Sequence, residues 1–367
     1  MSTFYAPGRT ELGGNHTDHN CGKVLAAPVN LRTTASVEKR TDNTVVFDSK
    51  GFGKTVVSLD SLDIRPEETG TTAALIRGVA AGIVKRGGKV GGFDASVSST
   101  VFAGSGLSSS ASVEILLGRI FNGLFSNSFS QVDLAIIGQE AERNYFGKPC
   151  GLMDQIACAS SGIVRVDFKN PVQPEITEIN TRFEDYGYSL VIVNTGGSHA
   201  DLTPDYAAIP AEMKLVANYF EKDNLRSVDR QAFLSELPSL RRSISNDRAV
   251  LRAMHFFEEN DRVDSMVLAL QSGNFDKYLE VVRECGRSSL SMLQNAYSPS
   301  HPLNQEITLA LSLTDNLLGD KAACRLQGGG FAGTIQAYVP CDSVDSYRKD
   351  VERVFGADSS ALITLGG

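Results

Sequence analysis

Gly104-Ser105-Gly106-Leu107-Ser108-Ser109-Ser110-Ala111-Ser112-Val113-Glu114 is a glycine-serine loop that runs straight into an apolar-periodic segment. Val113, Leu116, Leu117, Ile120, Phe121 and Leu124 recur at helical spacing, so one face packs inward and the loop sits at the amino end of a helix. Unpaired N–H groups and the macrodipole make that end favourable to an anion. Gly104 and Gly106 let the backbone approach a phosphate closely, and the serine hydroxyls can bond phosphate oxygens or a metal ion. An ordinary serine-capped helix after a flexible turn is the plainer reading of the same residues.

Upstream, residues 93 to 101 alternate as a strand, so the local order is strand, loop, helix. Residues 72 to 85 carry a helical pattern. Residues 24 to 31, 33 to 37 and 44 to 47 read as successive strands of an antiparallel sheet. Before them lies a polar, glycine-rich segment, residues 6 to 22, expected to be a loop. Its Arg9, Glu11, Asn15, His16, Asp18 and His19 offer the charged and hydrogen-bonding groups that a polyhydroxylated ligand needs. A surface turn with self-paired charges would use the same residues. His16 and His19 lack an evident third partner, which argues against a histidine metal site. Gly53-Lys54-Thr55 ends like a P-loop, but Asp48 stands where that motif needs glycine.

Downstream, residues 132 to 146 read as a helix bearing Glu140 and Glu142, and Gly147 ends it. Asp154, set among Leu152, Met153 and Ile156 at the start of the next helix, is either a desolvated carboxylate with a task or a charge complementing the dipole. Strands are expected at 163 to 168 and 188 to 194, with a domain boundary near 170 to 187 between them. Helices are expected at 211 to 220, 247 to 258, 262 to 271 and 275 to 293. Gly328-Gly329-Gly330 permits left-handed torsions before a strand at 335 to 339. A helix at 346 to 355 and a strand at 361 to 365 close the chain.

The 367 residues suggest two domains, and 42% hydrophobic with 21% charged residues allows substantial cores. A formal charge of −8 argues against a nucleic-acid or anionic-membrane partner. Six scattered cysteines suggest neither zinc nor a disulfide framework and fit a reducing cytoplasm. No targeting or membrane-spanning pattern is apparent.

Together these stretches resemble the galactokinase branch of the GHMP small-molecule kinases. Three motifs occur in the family's order: Pro7-Gly8-Arg9 with His16-Thr17-Asp18, the loop at 106 to 111, and Leu326 to Gly333. The segment 149 to 155 resembles the one carrying the family's catalytic aspartate, and Glu142 precedes it at the family's spacing. The resemblance implies an α+β fold of two domains. Residues 1–180 would form a ribosomal protein S5 domain 2-like amino-terminal GHMP kinase domain, and residues 181–367 a ferredoxin-like α/β sandwich, with the active site between them. It further implies ATP-dependent phosphorylation of a sugar's anomeric hydroxyl, with galactose favoured. Asp154 and Arg9 would be catalytic. Arg9, Asn15, His16, Asp18, Gly151, Asp154 and Tyr206 would contact the sugar. Gly104, Ser105, Gly106, Leu107, Ser108, Ser109 and Ser110 would wrap the nucleotide phosphates, and Ser110 and Glu142 would hold Mg2+. Small molecules, not nucleic acid or membrane, are the implied partners, and the oligomeric state is open, a monomer included.

Three departures bear on the substrate. Galactokinases have glutamate where this chain has Asn15, and tyrosine where it has His19. The family's asparagine upstream of that glutamate is here Glu11, so an acidic group has changed place. An asparagine at the sugar's C6 side would tolerate a uronate, which makes a kinase for galacturonate or another hexose derivative the first rival. The chain also reaches Ala6-Pro7-Gly8 after a shorter lead than its relatives, which leaves room for a missing amino-terminal segment. The second rival is a non-catalytic sugar sensor, against which the intact serine loop counts.

Overall fold

Residues 1–101, 106–197 and 202–366 are described by the computed structural model, and two β-sheets organise them. The first contains β1 (Ser2–Gly13), β2 (Lys23–Lys39), β3 (Thr44–Ser49), β4 (Gly53–Ser58), β5 (Phe93–Ser99), β6 (Ile163–Asp167) and β7 (Glu175–Ile179). Its order is β4-β3-β5-β2-β6-β7, with β1 laid antiparallel along β2. Only β3 and β5 are parallel neighbours. β2 is one 17-residue strand rather than the expected two, pairing β6 through its first residues and β5 through its last. β4 lies on the Gly53-Lys54-Thr55 stretch, and β7 falls inside the expected boundary region.

Both faces of this sheet are covered, which explains the nearly unbroken apolar run from Val24 to Val29. Successive side chains alternate: Val24 and Ala26 enter one core, Leu25, Ala27 and Val29 the other. The first core lies under α1 (Thr72–Lys85), α2 (Ser109–Leu124), α3 (Gln131–Ala141) and α4 (Met153–Ala159). α5 (Thr203–Tyr219), α6 (Arg230–Ser235) and α7 (Leu237–Ile244) form a separate cluster with the first half of α8 (Asp247–Gln271). The second half of α8, through Val263, Met266 and Val267, joins α9 (Phe275–Ser288) in the core against Leu25, Ala27 and Val29.

α8 was expected as two helices broken around Glu259-Asn260-Asp261. It runs through because two of those polar residues, Glu259 and Asn260, are used inside: Asn260 Oδ1 accepts from the Lys23 amide at 2.7 Å and Glu259 Oε1 from the Gly14 amide at 3.0 Å. The second sheet contains β8 (Tyr188–Asn194), β9 (Ala323–Leu326), β10 (Thr334–Pro340) and β11 (Ser360–Ile363), antiparallel in the order β11-β8-β10-β9. α10 (Glu306–Leu318), which the sequence reading lacked, and α11 (Val344–Phe355) complete its outer core. The Asn30 amide donates to the Thr364 carbonyl at 3.0 Å, beside a Val29–Leu365 bridge, and ties the two sheets together.

Candidate active site

The largest sequence-level correction concerns residues 6 to 13. They are not a loop but the buried half of β1, so Arg9 and Glu11 project from a strand. The Arg9 amide donates to the Leu107 carbonyl at 3.0 Å, which holds the described end of the serine loop against β1. A Cβ at Gly8 would lie 2.8 Å from that same carbonyl oxygen, so glycine is what permits the approach.

From β1 the Arg9 guanidinium reaches Asp154, with Nε donating to Oδ1 at 2.8 Å, and Nη1 donates to the Gly106 carbonyl. The Ser108 hydroxyl donates to the other Asp154 oxygen. Ser108 is the amino-terminal cap of α2 in a left-handed conformation, φ 55°, and its side chain makes no capping bond. A capping serine normally accepts from the first helical amides. Here the hydroxyl serves Asp154 instead, which leaves that duty to an incoming anion. Arg9 is 7% accessible and Asp154 32%, so the carboxylate is the member of the pair that a ligand can reach. Burial pushes the Asp154 carboxyl up, but the Arg9 charge, its hydrogen bond and Ser108 outweigh burial and hold it below the usual carboxylate range. Gly104 and Ser105 lie outside the described residues.

Next to this pair, the Ser110 hydroxyl donates to Glu142 Oε1 at 3.0 Å, and Lys148 Nζ donates to the same oxygen at 2.9 Å. α3 ends at Ala141 and continues as a π-turn, Glu142–Phe146, before Gly147 at φ 84°. That wide turn brings the chain back so that Lys148 meets Glu142. Among the described residues no three His, Cys, Asp or Glu side chains gather as a metal site. The hard oxygens of Ser110 and Glu142 are of the kind a magnesium ion takes.

The remaining expected residues divide. Asp18 and Gly151 are brought together: a Cβ on Gly151 would fall 1.9 Å from Asp18 Oδ2, so the carboxylate rests where only glycine leaves room. Asn15, His16 and Tyr206 converge on the glycine loop. Asn15 Nδ2 donates to the Gly328 carbonyl at 2.6 Å, His16 Nε2 to that of Gly329 at 3.0 Å, and the Tyr206 hydroxyl to that of Gly330 at 2.8 Å. Gly328 and Gly330 have φ of 67° and 78°, left-handed values that glycine adopts without steric cost.

Asn15 was expected to face the sugar's distal side, but the structure gives it no exposed surface. Its second amide hydrogen goes to Glu11 Oε1 at 3.0 Å, and its Oδ1 accepts from Asn295 Nδ2 at 2.9 Å. Burial, then the neighbouring His19, lowers His16 to about 3, so its ring is neutral. Burial raises the Tyr206 phenol to about 12.

The sequence reading missed a buried polar layer behind these groups. Arg325 Nη2 donates to Glu11 Oε1 at 2.6 Å, and Gln327 bonds both the Gly106 carbonyl at 3.0 Å and the Thr10 hydroxyl at 2.8 Å. From α8, His255 Nε2 donates to the Asn15 carbonyl at 2.9 Å, and Arg262 pairs with Glu259 at 2.8 Å. Burial works against the Glu259 anion, yet Arg262 and other nearby cations hold the carboxyl at about 2. The available signal was charge inside apolar runs, Arg325 and Gln327 beside Leu326, and His255 beside Phe256. Nothing local says where such residues point.

The chain matches the galactokinase galactose-binding signature over residues 2–39 and the GHMP kinases N terminal domain over residues 74–162. Its structure is similar to a Lactococcus lactis galactokinase complexed with galactose, at 25% identity and TM-score 0.85, covering 100% of this chain and 93% of that one. It shares its fold with a Methanococcus jannaschii mevalonate kinase at 14% identity and TM-score 0.71, covering 100% and 98% of the two chains. A Streptococcus pneumoniae phosphomevalonate kinase in complex with phosphomevalonate and AMPPNP has the same fold at 14% identity and TM-score 0.65, covering 99% and 98%. Both signatures fall on the segments that build this site, so the chain carries a GHMP kinase amino-terminal domain and a galactokinase galactose-binding signature in a structure similar to that of a galactokinase.

Proposed function

We propose that the protein transfers the γ-phosphoryl group of ATP to the anomeric hydroxyl of galactose. The observation that carries this reading is the Arg9–Asp154 pair, closed by Ser108 at the amino end of α2. Phosphoryl transfer asks for alignment and charge compensation rather than covalent help. Asp154, held ionised by Arg9, is a weak base toward a resting sugar hydroxyl. Its part is to orient that hydroxyl and to take the proton as the new P–O bond forms. Arg9 lies beside the same carboxylate and the Gly106 carbonyl, where its charge faces the transferred group.

Ser110 and Glu142 would hold Mg2+, which when bound offsets phosphate charge. Asp18, resting on Gly151, and His16 and Tyr206, standing on the glycine loop, would line the sugar. Galactose is favoured by the signature at residues 2–39.

The test is incubation of the purified protein with Mg-ATP and galactose, glucose or galacturonate, with the phosphorylated position read by 31P NMR. Galactose 1-phosphate is expected. Phosphate at another position, or no sugar-dependent ATP consumption, would overturn the reading.

A further inference from the structure

Gln155 follows Asp154 in sequence but points into a different chemistry. It is fully buried, and its amide nitrogen forks between two carboxylates, reaching Glu114 Oε2 at 2.9 Å and Glu142 Oε2 at 3.0 Å. Four segments meet to make this contact: α2 supplies Glu114, the π-turn Glu142, α4 Gln155, and α3 the opening at Gly138. A Cβ at Gly138 would come within 3.2 Å of Glu114 Oε2 and 3.3 Å of Gln155 Cγ.

Glu142 therefore has two anchors. On the outer side Oε1 meets Ser110 and Lys148, and the Lys148 side chain is 56% accessible. On the inner side Oε2 accepts from Gln155. Glu114 has no exposed surface, and its one hydrogen bond among the described residues is to Gln155. Facing the Glu142 carboxylate, the amide offers its NH2 end, and Glu114 Oε2 accepts from the same nitrogen on the other side, so the two glutamates together fix which end of Gln155 is presented.

We propose that Gln155 is a positioning residue whose amide, set between Glu114 and Glu142, holds one oxygen of Glu142 so that the other is turned toward Ser110, and so sets the affinity of the site for its divalent cation. This rests on the reading of Ser110 and Glu142 as the protein's ligands to that cation. A carboxylate ligand that loses the donor behind it must find its geometry anew at each binding event.

Gln155→Met keeps the length of the side chain and removes the donor. It should raise the Mg2+ concentration for half-maximal rate about tenfold while the galactose KM stays within about twofold. Mn2+ binding in the presence of ADP, read by electron paramagnetic resonance, should weaken by the same factor. Glu142→Gln is run beside it. If Glu142→Gln leaves both titrations in place, the cation reading itself fails. If Glu142→Gln moves them and Gln155→Met does not, this inference alone is overturned.

The double variant Glu114→Gln with Gln155→Glu separates positioning from packing, and decides the question should Gln155→Met not fold. It restores a hydrogen bond between positions 114 and 155 with donor and acceptor exchanged, but offers Glu142 no donor. A raised Mn2+ requirement in a variant of normal Tm supports positioning. A wild-type requirement would show that Gln155 only fills space.

Discussion

The two sides of the candidate site differ in what their side chains hold. On the serine-loop side, side chains hold side chains: Arg9 holds Asp154, Ser108 closes the pair, and Ser110 meets Glu142. On the glycine-loop side, the side chains of Asn15, His16, Asn295 and Tyr206 hold backbone carbonyls of Gly328 to Gly330. A side-chain pair can exchange one partner for a ligand at little cost. A buried carbonyl cannot lose its donor without leaving an unpaired polar group, so those residues are committed to the shape of the loop. The proposed chemistry falls on the first side, and the bonds that shape the loop on the second.

The sharpest way to break that division is to remove charge from the first side. Asp154→Asn and Arg9→Ala are each expected to lower kcat about a thousandfold or more, with circular dichroism unchanged. A wild-type rate in either would end the assignment. On the second side, Asn15→Glu would face a new carboxylate against Glu11 and the Gly328 carbonyl in a buried space. It should destabilise the fold by about 3 kcal/mol in urea titration and leave the galactose to galacturonate ratio of kcat/KM nearly unmoved. A stable variant with a shifted ratio would instead place Asn15 at the sugar.

Tyr206→Phe removes one bond to the Gly330 carbonyl, a change of about 1 kcal/mol, and should raise the galactose KM about fivefold while kcat holds. If kcat falls and KM does not, Tyr206 acts on the reacting groups. The smallest effect concerns pH. Burial, with His19 next, holds His16 at about 3, below its ordinary 6.5, so the unfolded chain takes up a proton that the folded chain refuses. This contribution to stability is complete above pH 6.5 and is lost as the pH falls toward 3. The Tm of His16→Asn should therefore decline less over that window than the wild type's, and parallel curves would mean that His16 titrates normally.

How much of this was legible in the sequence depended on whether the signal was local. The helix behind the serine loop, and the strands at 93–99 and 188–194, announced themselves because periodic burial leaves its mark on consecutive residues. β1 was hidden because its inner half carries Pro7, Gly8, Arg9 and Glu11, whose polarity is answered by partners far along the chain at Asp154 and Arg325. The break read into α8 had the same origin, since Glu259 and Asn260 look exposed until Gly14 and Lys23 are found beside them.

By itself, then, the order of residues determined the galactokinase-like motifs, the helix that presents the serine loop, and the charged types gathered around it. Only the tertiary structure decided which of those charges face each other and which are spent on the glycine loop. Periodicity records burial against neighbours in sequence, whereas a buried polar group takes its meaning from the partner that folding brings to it.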